Sequence, residues 1–127
     1  DIDGLNFIKL NQFIPRNDLL EQYKRADICV IPSLFDNSPN TVYEAMANGR
    51  IVVASSVGGI PEIVGGIENG FLFDPKDVND LVGKLEDAIK LVLKGECQTM
   101  RVNAQQRINT LSNLSINVEQ RLNLIQL

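Results

Sequence analysis

A chain of 127 residues, 44% hydrophobic and 22% charged, has the size and make-up of one ordinary globular domain with a single core. Its net charge of −4 supplies no basic stripe, so nucleic acid is not expected as a partner, although an anion site built locally from backbone N–H groups stays open. With no histidine and only two cysteines at no metal-like spacing, a transition-metal site is not expected, and Ser–His–Asp or Cys–His catalysis within the chain is excluded.

The first element in chain order is LNFIKL (5–10), which alternates and then runs apolar, and reads as a strand. DLLEQYKRA (18–26) sets Leu19, Leu20, Tyr23 and Ala26 at helical spacing, with Asn17 or Asp18 as a natural N-cap. DICVIP (27–32) is short, apolar and stopped by Pro32, the pattern of a strand buried on both faces. SPNTVYEAMAN (38–48) reads as a short helix closed by Gly49 at C′. IVVAS (51–55) is a second buried strand, GGIPEIV (58–64) a glycine turn into one helical turn, and GFLFD (70–74) a further strand. Asp77 is placed to cap a long helix whose stripe is Val78, Leu81, Val82, Leu85, Ala88, Ile89, Val92 and Leu93, ending at Gly95. The remainder predicts two more helices, broken near Ser112–Ser115, with sparse apolar positions. Strands alternating with helices through short loops predict an α/β fold: a Rossmann-like parallel sheet flanked by helices, with C-terminal helices.

Cys29 lies inside an apolar run and reads as a small core residue, so a reduced, cytoplasmic setting is expected. No apolar segment approaches the roughly 18 residues a bilayer span requires, and the opening residues carry no signal-peptide pattern. The chain opens at Asp1, without Met, close to a strand-like run, from which a longer parent protein is expected.

In open parallel sheets, ligands bind beyond the carboxyl ends of the strands. Three loops leave those ends: NQFIPRN (11–17), SLFDNSP (33–39) and SSVGGIP (55–61). In the middle one, Ser38 as N-cap and Pro39 at N1 leave the amides of Asn40 and Thr41 at a helix mouth, where the macrodipole favours an anion such as phosphate. Helical side chains lean toward the N-terminus, so Glu44 points over Asn40 toward that mouth, while Val42, Ala45 and Met46 face the core. A carboxylate repels phosphate. Its chemical use there is to accept hydrogen bonds from hydroxyls on the same ligand, such as a ribose diol, with Asp36 across the mouth receiving hydroxyls from a group beyond the phosphate. On spacing alone, turn-forming Asp, Asn and Ser and a solvated helix face account for the same residues. Neither G-x-x-x-x-G-K-[ST] nor G-x-G-x-x-G is present.

YKRADICVIPSLFDNSPNTVYEAMANGRIVVASSVGGIPEIVGGIENGFLFDPKD (23–77) resembles the donor-binding half of retaining GT-B glycosyltransferases of the "glycosyltransferases group 1" family. The likeness rests on Ala-Asp before a strand ending in Pro-Ser, then an acid, seven residues and Glu, then EAMANG, GGIPEIV, NGFL and DPKD. It runs from about Leu5 to Val92, and more loosely over the last helix. It implies a partial nucleotide-sugar-binding Rossmann-like domain over 1–95 and a C-terminal helical tail of that domain over 96–127. It further implies Glu44 on the ribose, Asp36 as the catalytic acid beside the donor sugar, and Asn37, Ser38 and Pro39 on that sugar. Asn40 and Thr41 fall to the diphosphate, and Leu10, Asn11 and Gln12 to the nucleobase. The implied reaction moves a hexose from a UDP- or GDP-sugar to a hydroxyl of a sugar or lipid-linked acceptor, with retention, without a metal ion and with no cofactor beyond the donor. An N-terminal GT-B domain outside this sequence would supply the acceptor site and a basic pair on the diphosphate, so the 127 residues alone are expected to be inactive. Any attachment at the inner face of the membrane would also come from residues outside it.

Two positions depart from the family pattern. Asp36 stands where Glu is usual, one methylene shorter, and Asn11 stands where Gly is common. The first motivates a rival reading as a non-catalytic nucleotide-sugar-binding module. A flavodoxin- or receiver-like signalling domain, which the α/β alternation permits, would want acids after the first strand, where NQFIPRN has none.

Overall fold

The computed structural model describes residues 15–35 and 40–125, with 115–125 as backbone only. The elements run α1 (Arg16–Arg25), β1 (Ile28–Ile31), α2 (Asn40–Ala47), β2 (Ile51–Ser55), α3 (Ile60–Val64), β3 (Phe71–Phe73), α4 (Val78–Leu93) and α5 (Gln98–Ile125). The strand-like run at 5–10 lies outside the described residues.

The three strands form one parallel sheet in the order β1-β2-β3, with Ile28 opposite Ile51 and Val53 opposite Phe71. Side chains alternate across it. Cys29, Ile31, Val52, Ala54 and Leu72 face a cluster with Tyr23 of α1, Val42, Ala45 and Met46 of α2, Ile60 and Val64 of α3, and Ala104 and Ile108 of α5. Ile28, Ile51, Val53, Phe71 and Phe73 face Leu81, Leu85 and Ala88 of α4 and Met100 at the start of α5. Central β2 is therefore buried at every position, as its all-apolar sequence requires.

The helix ends follow local chemistry. Asp77 caps α4 by accepting from the Asp80 amide at 3.1 Å. Gly49 ends α2 at φ +69°, its amide bonded to the Met46 carbonyl and that of Arg50 to the Ala45 carbonyl, the paired bonds of a Schellman close. Gly95 ends α4 in the same way, through Val92 and Leu91.

Four expectations need correction. Helix α1 starts two residues before Asp18, behind Pro15 and with no side-chain cap; Pro15 has φ −56° and ψ 151°, and its carbonyl accepts from the Leu19 amide. The chain does not break near Ser112–Ser115: α5 continues to Ile125. Neither Gly nor Pro stands there, and Ser and Asn only lower helix propensity, while the Ser112 hydroxyl is anchored to the Tyr43 hydroxyl of α2. Strand β1 is not buried on both faces, since Val30 is 41% exposed. Among the described residues β1 pairs only with β2, and α4 lies over β2 and β3 instead. For the same reason the α4 stripe divides: Ala88 is buried with Leu81 and Leu85 partly so, whereas Val78, Val82, Ile89 and Leu93 face outward. A three-stranded sheet meets only one strip of that helix.

Candidate functional site

Because β1 and β2 run parallel, the loops after both leave one edge of the sheet, the edge toward which α2 opens. Ser55, the last residue of β2, is fully buried, and its hydroxyl donates to the Ser33 carbonyl at 2.6 Å, with the Ile31 carbonyl at 3.3 Å. That bond ties the exit of β1 to the end of β2. Beyond it, Leu34 and Phe35 are exposed, Phe35 at 90%.

The predicted sugar-side residues Asp36, Asn37, Ser38 and Pro39, and the predicted base-side residues Leu10, Asn11 and Gln12, lie outside the described residues. Asn40 and Thr41 open α2 and are both exposed at its mouth. Their helix contains no acidic residue in its first turn, and Glu44 is its one charged side chain. Val42, Ala45 and Met46 are fully buried against the sheet, so the helix is held rigidly by its inner face.

Glu44, one turn above Asn40, is not a freely solvated carboxylate. Its side chain is 23% exposed, and Oε1 accepts from Arg16 Nη1 at 2.8 Å. Arg16 is the first residue of α1, 28 positions away, and remains 71% exposed on its outer side. Tyr23, buried about two turns along α1 from Arg16, feels the charges of both Arg16 and Glu44. Its phenol is raised above the ordinary value of 10.0, first by burial and then by the negative charge of Glu44, with Arg16 opposing. Sequence spacing pointed to Glu44 but missed Arg16. The signal available was a basic residue directly after Pro15 in the loop said to leave the first strand.

The C-terminal ends of α1 and α2 are joined behind this mouth by Arg50. Its Nε donates to the Asn48 carbonyl at 2.9 Å, and its Nη1 donates to the Ala26 carbonyl at 2.8 Å. Arg101 of α5 reaches the Gly49 carbonyl at 2.8 Å, and Arg107 reaches the Ile63 carbonyl at the end of α3. Arginines thus satisfy orphan carbonyls at three helix ends, so these charges are structural. No group of three His, Cys, Asp or Glu able to hold a metal ion occurs among the described residues. None of their helices is long and apolar enough to cross a membrane.

Comparison with known proteins bears on this arrangement. The family model "Glycosyl transferases group 1" matches residues 4–107. A sulfoquinovosyl transferase of Arabidopsis thaliana is 42% identical over 72 residues, which is 54% of this chain and 14% of that protein. A D-inositol 3-phosphate glycosyltransferase of a Mycobacterium species (strain KMS) is 34% identical over 113 residues, 87% of this chain and 25% of that protein. Among solved structures, a sucrose-phosphate synthase from Thermosynechococcus elongatus superposes with a TM-score of 0.72 at 28% identity, covering 88% of this chain and 28% of that one. A glycosyltransferase from Rickettsia africae superposes at 0.71 over 97% of this chain and 32% of its own, at 24% identity, a likeness of fold. The chain therefore spans a quarter or less of the length of these two sequence relatives, 14% and 25%.

Proposed function

The chain belongs to the glycosyl transferases group 1 family, and we propose that it forms the donor-binding part of a GT-B enzyme that moves a hexose from a nucleoside diphosphate sugar to an acceptor hydroxyl. The observation that supports this most directly is Glu44: a mostly covered carboxylate at the carboxyl edge of a parallel sheet, one turn above the exposed start of α2. In this reading the free acceptor positions of Glu44 take the ribose hydroxyls, and the amides of Asn40 and Thr41 take the diphosphate. Asp36 faces the donor sugar at its reacting carbon, with Asn37, Ser38 and Pro39 on the sugar hydroxyls and Leu10 to Gln12 beside the base.

The chemistry asked of this half is electrostatic. As the bond between the anomeric carbon and the diphosphate breaks, negative charge grows on the leaving group. The positive end of α2 is fixed in place to receive it, which lowers the barrier without reorganisation. The family resemblance favours retention at that carbon and a leaving group stabilised without a metal ion. The acceptor and the other wall of the cleft would come from outside these residues.

Calorimetric titration of the full-length protein with UDP, GDP and ADP tests the reading, with Glu44→Ala as the paired variant. Binding of at least one nucleotide, weakened about tenfold or more by the substitution, is expected from loss of a charge-assisted hydrogen bond. Absence of binding, or binding indifferent to Glu44, refutes it. The rival non-catalytic reading draws on Asp36 in place of Glu. It is rejected if Asp36→Asn abolishes sugar transfer while donor binding persists.

A further inference from the structure

Glu44 and a diphosphate at the mouth of α2 are an awkward pair. A ribose acceptor has to be ionised to accept two hydroxyls well, yet an ionised carboxylate one turn from a pyrophosphate repels it. Glu44 is the one charged side chain of its helix, so nothing within α2 offsets this. The offset comes from another element. Arg16 Nη1 lies 2.8 Å from Glu44 Oε1, across 28 residues of sequence. We propose that Arg16 is the charge-compensating and positioning residue of the donor site, holding one oxygen of Glu44 while cancelling the charge that would push a nucleoside diphosphate away. This rests on the donor-site reading above.

Three features support the assignment. First, among the described residues the contact to Glu44 is single-point, to Oε1, and a carboxylate has about four acceptor sites, so this bond uses only one of them. Second, the arrangement is asymmetric: Glu44 is 23% exposed and Arg16 is 71% exposed, so the acid is held while the guanidinium stays open to solvent. Third, a stability role is a poor explanation. An ion pair this exposed is screened by water and adds little to stability. Tyr23, Leu19 and Leu20 already dock α1 through apolar contacts. Tyr23, on the same helix as Arg16, is buried in the core and anchors α1 there.

The test uses the full-length protein and three probes of rising charge: a nucleoside, its monophosphate and its diphosphate, with the base chosen as the one that binds best. Arg16→Gln should weaken the diphosphate about tenfold, the monophosphate less, and the nucleoside no more than about twofold, with the gap shrinking as salt rises. Arg16→Lys, which keeps the charge, should restore most of the loss at low salt. In a cycle with Glu44→Gln, Arg16→Gln should cost the diphosphate much less than it does beside an intact Glu44, because no charge is left for Arg16 to compensate. An unchanged melting temperature in Arg16→Gln would show that folding is not the cause. An equal loss on all three probes, or no loss on any, overturns the proposal. The two readings also fail differently. Wild-type protein that binds no nucleoside diphosphate ends the donor-site reading before any substitution is made. Binding that is lost in Glu44→Ala yet indifferent to Arg16→Gln ends the Arg16 assignment alone.

Discussion

Ser55→Ala isolates the bond that ties the exit of β1 to the end of β2. The hydroxyl is fully buried, and at 2.6 Å from the Ser33 carbonyl it makes a short, well-formed bond between residues 22 positions apart. Losing one neutral hydrogen bond costs about 1 kcal/mol, and a carbonyl left buried without a partner adds up to about 2 more. Because the Ser33 side is only partly buried and recovers some solvation, the expected loss is about 1 to 2 kcal/mol. With a urea slope near 2 kcal/mol/M, the unfolding midpoint of the 127-residue chain should fall by about 0.5 to 1 M. A purely global loss would leave local protection in proportion. Here hydrogen exchange should rise most at 33–35 and at the start of α2, since the bond's geometric task is to tie that loop to β2. Ser55→Cys, close in volume but a weak donor, should behave like Ala rather than like wild type. A midpoint within about 0.2 M of wild type, together with unchanged exchange at 33–35, would refute the claim that this hydroxyl sets the loop.

Three further predictions follow from the packing. Met46→Ala empties a fully buried site between α2 and the sheet and should cost about 2 to 5 kcal/mol in denaturant unfolding, whereas Met46→Leu should cost less than about 1.5. Gly49→Ala forces an L side chain to φ +69°, with its Cβ 3.0 Å from Gln105 Nε2. A loss of about 1 to 2 kcal/mol is expected, mainly from the backbone because the Gln105 amide can move, with Gly49→Asn milder. Burial raises the Cys29 thiol from 9.0 to about 11, so its folded-state contribution is whole below pH 9 and is lost as pH rises through 11. Alkylation of Cys29 at pH 8 should accordingly be slow in the folded chain and fast in denaturant. A Cys29→Ala chain should lose less stability than wild type between pH 9 and 11.

What could be read from the residues beforehand was whatever is decided within a few positions. Pro32, Gly49, Asp77 and Gly95 each set an element's end by local chemistry, and the apolar runs at 28–31, 51–55 and 71–73 became the three parallel strands. The periodic face Val42, Ala45 and Met46 went into the core and thereby fixed which way Glu44 could point. Readings failed where a distant element decides. The Ser112–Ser115 segment had weak helix formers, but contact with Tyr43 and the absence of Gly or Pro carried α5 through it. Val78, Val82, Ile89 and Leu93 keep a helical apolar period, yet exposure depends on how many strands lie beneath α4. The site divides along the same line. Glu44 was legible because its helix is amphipathic and its spacing to the loop is short. Its partner was not, because only the docking of α1 on the sheet brings residue 16 to residue 44. A carboxylate can be found by its pattern, but the cation that pairs with it is set by tertiary packing. This is why the Arg16 substitution, rather than another change within the motif, separates a ligand site from a wet helix face.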